Sequence, residues 1–192
     1  MLAMMIRARV WLLLLALAAC DLPGSTPQVT VLGGQITVRA PQFYCVSEGS
    51  SRSSADTAVV LIGRCAENGR VAAALVTVTI GRSASGGVML AGAERLREFL
   101  RSNAGRRALS RSGRAGDVAV LQSGVVDGTL MLHLNDRLAG EYWRAIIGIK
   151  GRLVTISASG AEGAPLTPAD GQRLVEKTVA ALIRTNPTTR QQ

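Results

Sequence analysis

A single histidine, three cysteines and a run of arginines are the residues of this 192-residue chain that could do chemistry. His133 stands in Leu130-Met131-Leu132-His133-Leu134, opposite the leucines of an alternating strand. That position predicts a solvent-facing histidine and not a catalytic base. One histidine and two cysteines that are expected to be bridged cannot build a tetrahedral zinc site without several carboxylates, so no metal site and no cofactor are expected. Gly81-Arg82-Ser83-Ala84-Ser85-Gly86-Gly87 comes near the Gly-x-Ser-x-Gly nucleophile elbow, but serine occupies position 85, where glycine is needed. Ser157-Ala158-Ser159-Gly160 fails in the same way. Asp117, Asp127, Asp136 and Glu141 have no spacing that sets two carboxylates on one element, which leaves a glycosidase-type pair unsupported. No catalytic residue is expected. The stretch from Arg95 to Arg114 is the one charged feature above background, with seven arginines against Glu94 and Glu98. Arginine forks suit phosphate and carboxylate groups, and Arg106, Arg107, Arg111 and Arg114 are the expected contacts to an anionic partner. The competing reading is an exposed helix and loop whose charges are simply solvated.

Cys20 has a different character. Arg7 and Arg9 form a basic n-region, Val10 to Ala19 an apolar h-region, and small residues lead into the cysteine, the layout of a secretory signal. About ten apolar residues fall short of the roughly 20 that a spanning helix requires, so residues 1–19 are expected to be removed. Leu17-Ala18-Ala19-Cys20 resembles the lipobox of bacterial lipoproteins. The resemblance implies that Cys20 is diacylated, becomes the new N-terminus and is N-acylated in many bacteria. Two or three acyl chains meet the requirement for more than one anchoring signal. The expected location is periplasmic, tethered to a membrane through acylated Cys20. Asp21 favours the inner membrane under the sorting rule of enteric-type bacteria, and the outer membrane stays open elsewhere.

With Cys20 set aside for lipid, Cys45 and Cys65 are an even pair in an oxidising compartment, which favours a disulfide. A metal pair lacks nearby His or Asp, and a redox couple would need the closer Cys-x-x-Cys spacing. Of the 22 Lys and Arg, Arg7 and Arg9 leave with the leader, and against 13 Asp and Glu the remaining chain carries about +7. Twenty of the 22 are arginine, a skew that genome base composition explains as readily as function. High pI raises the question of nucleic acid, but export and an aromatic content of 3% argue against it. Anionic lipid, lipopolysaccharide, acidic envelope polymers or an envelope protein are the expected partners.

The elements that must position these groups follow from local pattern. Residues 20–28 (with Pro23, Gly24, Ser25 and Pro27) read as a short leash, residues 29–186 as one domain, and 187–192 as a disordered tail. Gly33-Gly34 separates two β-branched runs in Val29 to Ala40 and predicts a hairpin. Phe43 to Val46 reads as a short extended piece. Glu48 to Asp56 reads as a serine-rich turn region with nothing to bury. Thr57 to Gly63 is a buried central strand paired with Val71 to Ile80 across Asn68-Gly69. Ala93 to Asn103 carries Leu96, Phe99 and Leu100 on one face, a short amphipathic helix, with a second helical stretch over Arg106 to Leu109. Val118 to Val126 and Leu130 to Leu134 form a hairpin at Asp127-Gly128, and Tyr142 to Ile149 and Arg152 to Ser157 another at Lys150-Gly151. Thr167-Pro168-Ala169-Asp170 caps a final helix, which Asn186-Pro187 stops. The order predicts an α+β domain: an antiparallel sheet with a central and a C-terminal helix packed on it.

Gly33 to Pro41 running into Tyr44-Cys45-Val46, and Tyr142-Trp143-Arg144 through Gly151 to Thr155 and the helix after Leu166, resemble a family of small exported bacterial lipoproteins of unassigned function. Some of its members are labelled "cation transport ATPase", but this chain has neither an Asp-Lys-Thr-Gly loop nor a Gly-x-x-x-x-Gly-Lys loop. The late hairpin and terminal helix also resemble the ending of PsbP-like α/β/α sandwich domains, which implies an accessory or assembly role. The expectation is a lipid-anchored, non-enzymatic accessory or binding module of the cell envelope. The alternative is an envelope hydrolase whose active site the fold assembles.

Overall fold

In the computed structural model, residues 25–66 and 69–187 are described. The expected leader, Cys20, Asp21 and the tail from 188 onward lie outside them. The fold is α+β. Its main sheet has eight antiparallel strands in the order β1-β4-β5-β6-β10-β9-β8-β7. These are β1 (Ser25–Thr26), β4 (Tyr44–Ser53), β5 (Ala58–Arg64), β6 (Ala74–Ile80), β7 (Val118–Val126), β8 (Thr129–Asp136), β9 (Gly140–Ile149) and β10 (Arg152–Gly160). A separate hairpin of β2 (Gln28–Val31) and β3 (Ile36–Arg39) makes a second, two-stranded sheet. After β6 the chain crosses to the far edge through three short helices, α1 (Gly87–Leu90), α2 (Ala93–Arg101) and α3 (Asn103–Leu109). It enters β7 there and meanders back until β10 pairs with β6. The last element is α4 (Pro168–Thr185).

Side-chain alternation decides which face meets which layer. Val60, Ile62, Val76, Val78, Val154 and Ile156 point to one face and are fully buried under α4 and the β2–β3 hairpin. Leu174, Val175, Val179 and Leu182 of α4 close that core, as the 3.6-residue period of the helix predicts. Leu130, Leu132 and Leu134 of β8 point the other way and pack with Leu100 of α2 and Leu109 of α3. The β8–β9 part of the sheet is therefore covered on both faces, while β7 at the edge stays largely exposed.

Two local expectations are corrected, and the helical region before β7 divides in two as its two stretches predicted. Ser102 adopts extended backbone (φ −70°, ψ 164°), ends α2 and caps α3 by accepting the Gly105 N–H at 3.1 Å. Gly105 must be glycine because a Cβ there would collide with the Phe99 carbonyl. The serine-rich stretch from Glu48 is not a turn. β4 continues to Ser53 and stays paired with β5 through a register shift between Ser47 and Arg52. The Ser51 hydroxyl accepts the Leu61 N–H at 3.2 Å, so a polar strand satisfies its neighbour without burying apolar surface. Finally, β1 pairs with β4 (Ser25 with Ser47, Thr26 with Val46), so part of the stretch read as leash belongs to the sheet.

The two later hairpins turn at Asp127-Gly128 (φ 47° and 73°) and Lys150-Gly151 (φ 46° and 74°). Consecutive positive φ values belong to turns whose twist matches the strands, which is why glycine follows each polar residue.

Candidate functional site

The C-terminal helix builds one wall of a cleft. The Thr167 hydroxyl accepts the Asp170 N–H at 3.1 Å and donates to Asp170 Oδ2 at 2.6 Å, and Pro168 opens the first turn, so the start of α4 is well determined. Its end is held by Asn186, whose side chain accepts the Thr37 N–H at 3.0 Å and donates to the Thr37 carbonyl at 2.7 Å. The amide of Asn186 thus takes the place of a neighbouring strand on the free edge of β3. That clamp sets Arg184, two residues before Asn186, near Arg39, two residues after Thr37.

Between α4 and the chain leaving β3 lies a cleft of about 650 Å³. Arg39, Lys177 and Arg184 line it, Ala180 and Ala181 form its helical side, and Phe43 and the Cys45–Cys65 pair stand across from them. All three cationic residues are exposed. Among the described residues none of the three has a carboxylate within 4 Å, and none of the lining residues is acidic. Arg39 is oriented by Gln28 Oε1, which accepts from its Nε at 3.1 Å and its Nη2 at 2.9 Å. A second hollow of about 430 Å³ continues past Phe43 and Tyr44 toward Arg70 and Arg173. Arg173 is matched there by Asp170 at 2.6 Å, and the Thr167 hydroxyl followed by Arg173 holds the Asp170 carboxyl below the usual carboxylate range.

The opposite wall carries a backbone oddity. The Tyr44 N–H donates to the Pro41 carbonyl at 3.0 Å, closing a four-residue turn whose third residue, Phe43, has φ 72°. Glycine or asparagine normally fills that position, and an aromatic there is strained. The Cys65 N–H donates to the Phe43 carbonyl at 3.1 Å, and the Cys45–Cys65 bond (S–S 2.01 Å, Cα–Cα 5.1 Å) joins the start of β4 to the end of β5. Phe43 stays 39% exposed at the cleft. Strained residues of this kind gather at sites that bind or act.

The arginines singled out in the sequence are placed differently. Arg106 donates to Asn103 Oδ1 and to the Arg101 carbonyl, and Arg114 pairs with Asp117 at 2.9 Å. The backbone N–H of Arg111 binds Asp136 Oδ2 at 3.2 Å. Only the side chains of Arg107 and Arg111, of these four, have no polar partner among the described residues. The segment lies on the α2–α3 layer by the β7 edge, far across the sheet from β1, whereas Pro27 of the leash side lines the cleft. The sequence signal that could have found the cleft is faint: Lys177 and Arg184 lie seven residues apart on α4, but Arg39 is remote from both.

His133 is corrected. It does not face solvent: its side chain is 12% exposed and stacks on Trp143, with ring centroids 4.7 Å apart and planes within 2°. Its Nε2 lies 2.7 Å from Glu141 Oε1, out of line for a hydrogen bond but close enough for an ion pair when the ring is protonated. The face opposite the leucines is covered by the start of α4, where Thr167, Pro168 and Gly171 border the pair. Among the described residues no group of three His, Cys, Asp or Glu side chains converges as a metal site would require.

No family model matches the chain, and no curated protein does. Among solved structures, the Saccharomyces cerevisiae Ran-binding protein Mog1p is similar at 16% identity with a TM-score of 0.44, covering 84% of this chain and 94% of that one. A point mutant of protein Mog1 is similar at 16% identity with a TM-score of 0.39 over the same shares.

Proposed function

We propose that this chain is a lipid-anchored module of the bacterial cell envelope, tethered through Cys20, that binds an anionic partner in the cleft between α4 and the Pro41–Tyr44 turn. The observation that carries this reading is the cleft's charge: three cations around a concave space, with no carboxylate among the described residues that line it. Its position agrees with a tether. Pro27 lines the cleft, and the seven residues from Cys20 to Pro27 span at most about 25 Å. A bonded Cys45–Cys65 pair suits the oxidising compartment to which the leader would deliver the chain. Arg107 and Arg111, with Arg106 and Arg114 beside them, supply a second basic face for the same partner class.

Membrane fractionation of cells expressing the full chain tests the anchor. The native chain is expected in the membrane fraction and a Cys20→Ser chain in the soluble periplasmic fraction. Identical distribution of the two would sink the tether.

A further inference from the structure

We infer that the cleft is a receptor for the phosphate of an anionic phospholipid headgroup, presented by the membrane to which the chain is tethered. This rests on the reading of the cleft as an anionic-partner site and names its ligand. Arg39 and Arg184 bring planar forks and Lys177 a point donor, a set suited to the several acceptor oxygens of a phosphate. A carboxylate, with two oxygens, would leave much of that set unused.

The hollow of about 650 Å³ is far larger than a bare anion needs. Pro27, Pro41, Phe43, Ala180 and Ala181 supply apolar lining beside the cations, which suits a phosphate that carries an organic part. Phe43 is the second reason to choose a lipid. A part-exposed Phe ring beside cations is a pairing used by protein surfaces that lie in the headgroup layer, with the ring at the acyl boundary and the charges on the phosphates. The turn holds Phe43 there at a conformational cost. Nucleic acid, the other common polyphosphate, would call for several stacking aromatics along a groove, and this cleft has one beyond the buried Tyr44.

The test uses residues 20–192 carrying Cys20→Ser, so that neither the apolar leader nor an acyl group reports on the vesicle. Binding is measured to phosphatidylcholine vesicles with and without one quarter phosphatidylglycerol, to inorganic phosphate, and to a short DNA duplex at equal salt. Binding that requires phosphatidylglycerol is expected, and Lys177→Ala with Arg184→Ala should lower it roughly 25-fold, about fivefold per cation at an anionic surface. Phe43→Ala should weaken vesicle binding and leave phosphate binding unchanged. Arg107→Ser with Arg111→Ser should weaken vesicle binding by much less than the α4 pair does.

All these positions are exposed, and a thermal melt confirms that each variant folds; Arg39→Gln gives an independent charge removal on the opposite wall. The inference is overturned if the α4 pair has no effect or if the Arg107 and Arg111 pair has the larger one. It is equally overturned if phosphate binds and vesicles do not, or if DNA binds more tightly than vesicles through the same cations. None of those results moves the Cys20 fractionation, so loss of the headgroup reading and loss of the tether are separate outcomes.

Discussion

Asn186 hydrogen-bonds both polar groups of the Thr37 peptide, its Oδ1 taking the N–H at 3.0 Å and its Nδ2 giving to the carbonyl at 2.7 Å. The two residues are 149 positions apart, and together with the Thr185 hydroxyl, which donates to the same carbonyl at 3.0 Å, the contact ties α4 to β3 at the head of the cleft. Asn186→Ala strips the Thr37 N–H of its partner in a part-buried setting, which costs about 1 kcal/mol. Urea unfolding should show that loss, and vesicle binding should fall too, because Arg39 and Arg184 then lose their fixed spacing. An Asn186→Ala chain as stable as the native one would show that the clamp contributes little.

Phe43 should reverse the usual order of alanine and glycine. Phe43→Ala keeps a Cβ at φ 72° and gives up the ring's partial burial, whereas Phe43→Gly gives up the ring and removes the strain. The glycine variant is expected to be more stable than the alanine variant by about 1 kcal/mol. Equilibrium denaturation of the two proteins side by side decides it, and alanine equal to or above glycine contradicts a left-handed Phe43.

The Cys45–Cys65 bond closes a loop with a sequence separation of 20. Chain entropy assigns such a closure about 3 kcal/mol. At this chain length that corresponds to a melting temperature lower by roughly 10 °C in reductant or in a Cys45→Ser with Cys65→Ser chain. Calorimetry with and without reductant measures it, and maleimide labelling of the denatured, unreduced chain should find neither thiol. Labelling of both would show that the bond is absent.

Acid should unfold this protein through its aspartates. Asp56 accepts the Ser83 N–H at 2.9 Å and the Arg152 Nη1 at 2.8 Å, and both lower its carboxyl from the ordinary 3.8, the backbone donor first. The Ser112 hydroxyl, then Arg114, does the same for Asp117. Asp136 is buried, which by itself raises its carboxyl, but the N–H groups of Leu138, Arg111 and Ala139 outweigh that and leave it lowered. A folded value below the unfolded one gives stability that is present above the ordinary carboxylate range and lost as pH falls through the lowered values. The melting temperature should therefore be level from about pH 5 to 7 and drop below about pH 4. A decline that starts above pH 5 would point to another group.

Arg152 is the structural counterpart of those carboxylates, 7% exposed and bound to Asp56, to the Gly81 carbonyl at 3.0 Å and to Gln35 Oε1 at 3.2 Å. Arg152→Leu fills the space but leaves the Asp56 and Gly81 carbonyls without their donor, a loss of about 3 kcal/mol. Chemical denaturation of that variant reads the loss directly. No change would mean that water replaces the guanidinium without cost.

Much of the architecture was legible along the chain. Asp127-Gly128 and Lys150-Gly151 turn where the pattern put them, since the conformations those turns need are local properties of two residues. Thr167, Pro168 and Asp170 begin α4, because capping is settled within one turn of helix. Misjudged stretches were those whose fate depends on a distant neighbour. β4 runs through a serine-rich segment because β5 offers it hydrogen bonds, and His133 is enclosed because α4 happens to cross its face.

Residues 1–24 lie outside the described structure, so the expected leader and the proposed acylation of Cys20 are read from the sequence. For the rest, the sequence by itself determined the strand and helix periods, the hairpin turns and the caps, all governed by interactions a few residues long. Only the tertiary structure decided the strand order, with the chain crossing from β6 to the far edge before β10 returns. It alone brought Arg39 to Lys177 and Arg184, while it gave Arg106 and Arg114 partners of their own. The reason is physical: a run of arginines is visible in one dimension. Whether a charge is answered by a carboxylate or left facing a cleft depends on which faces the core buries, and that burial is settled by contacts between residues far apart in the chain.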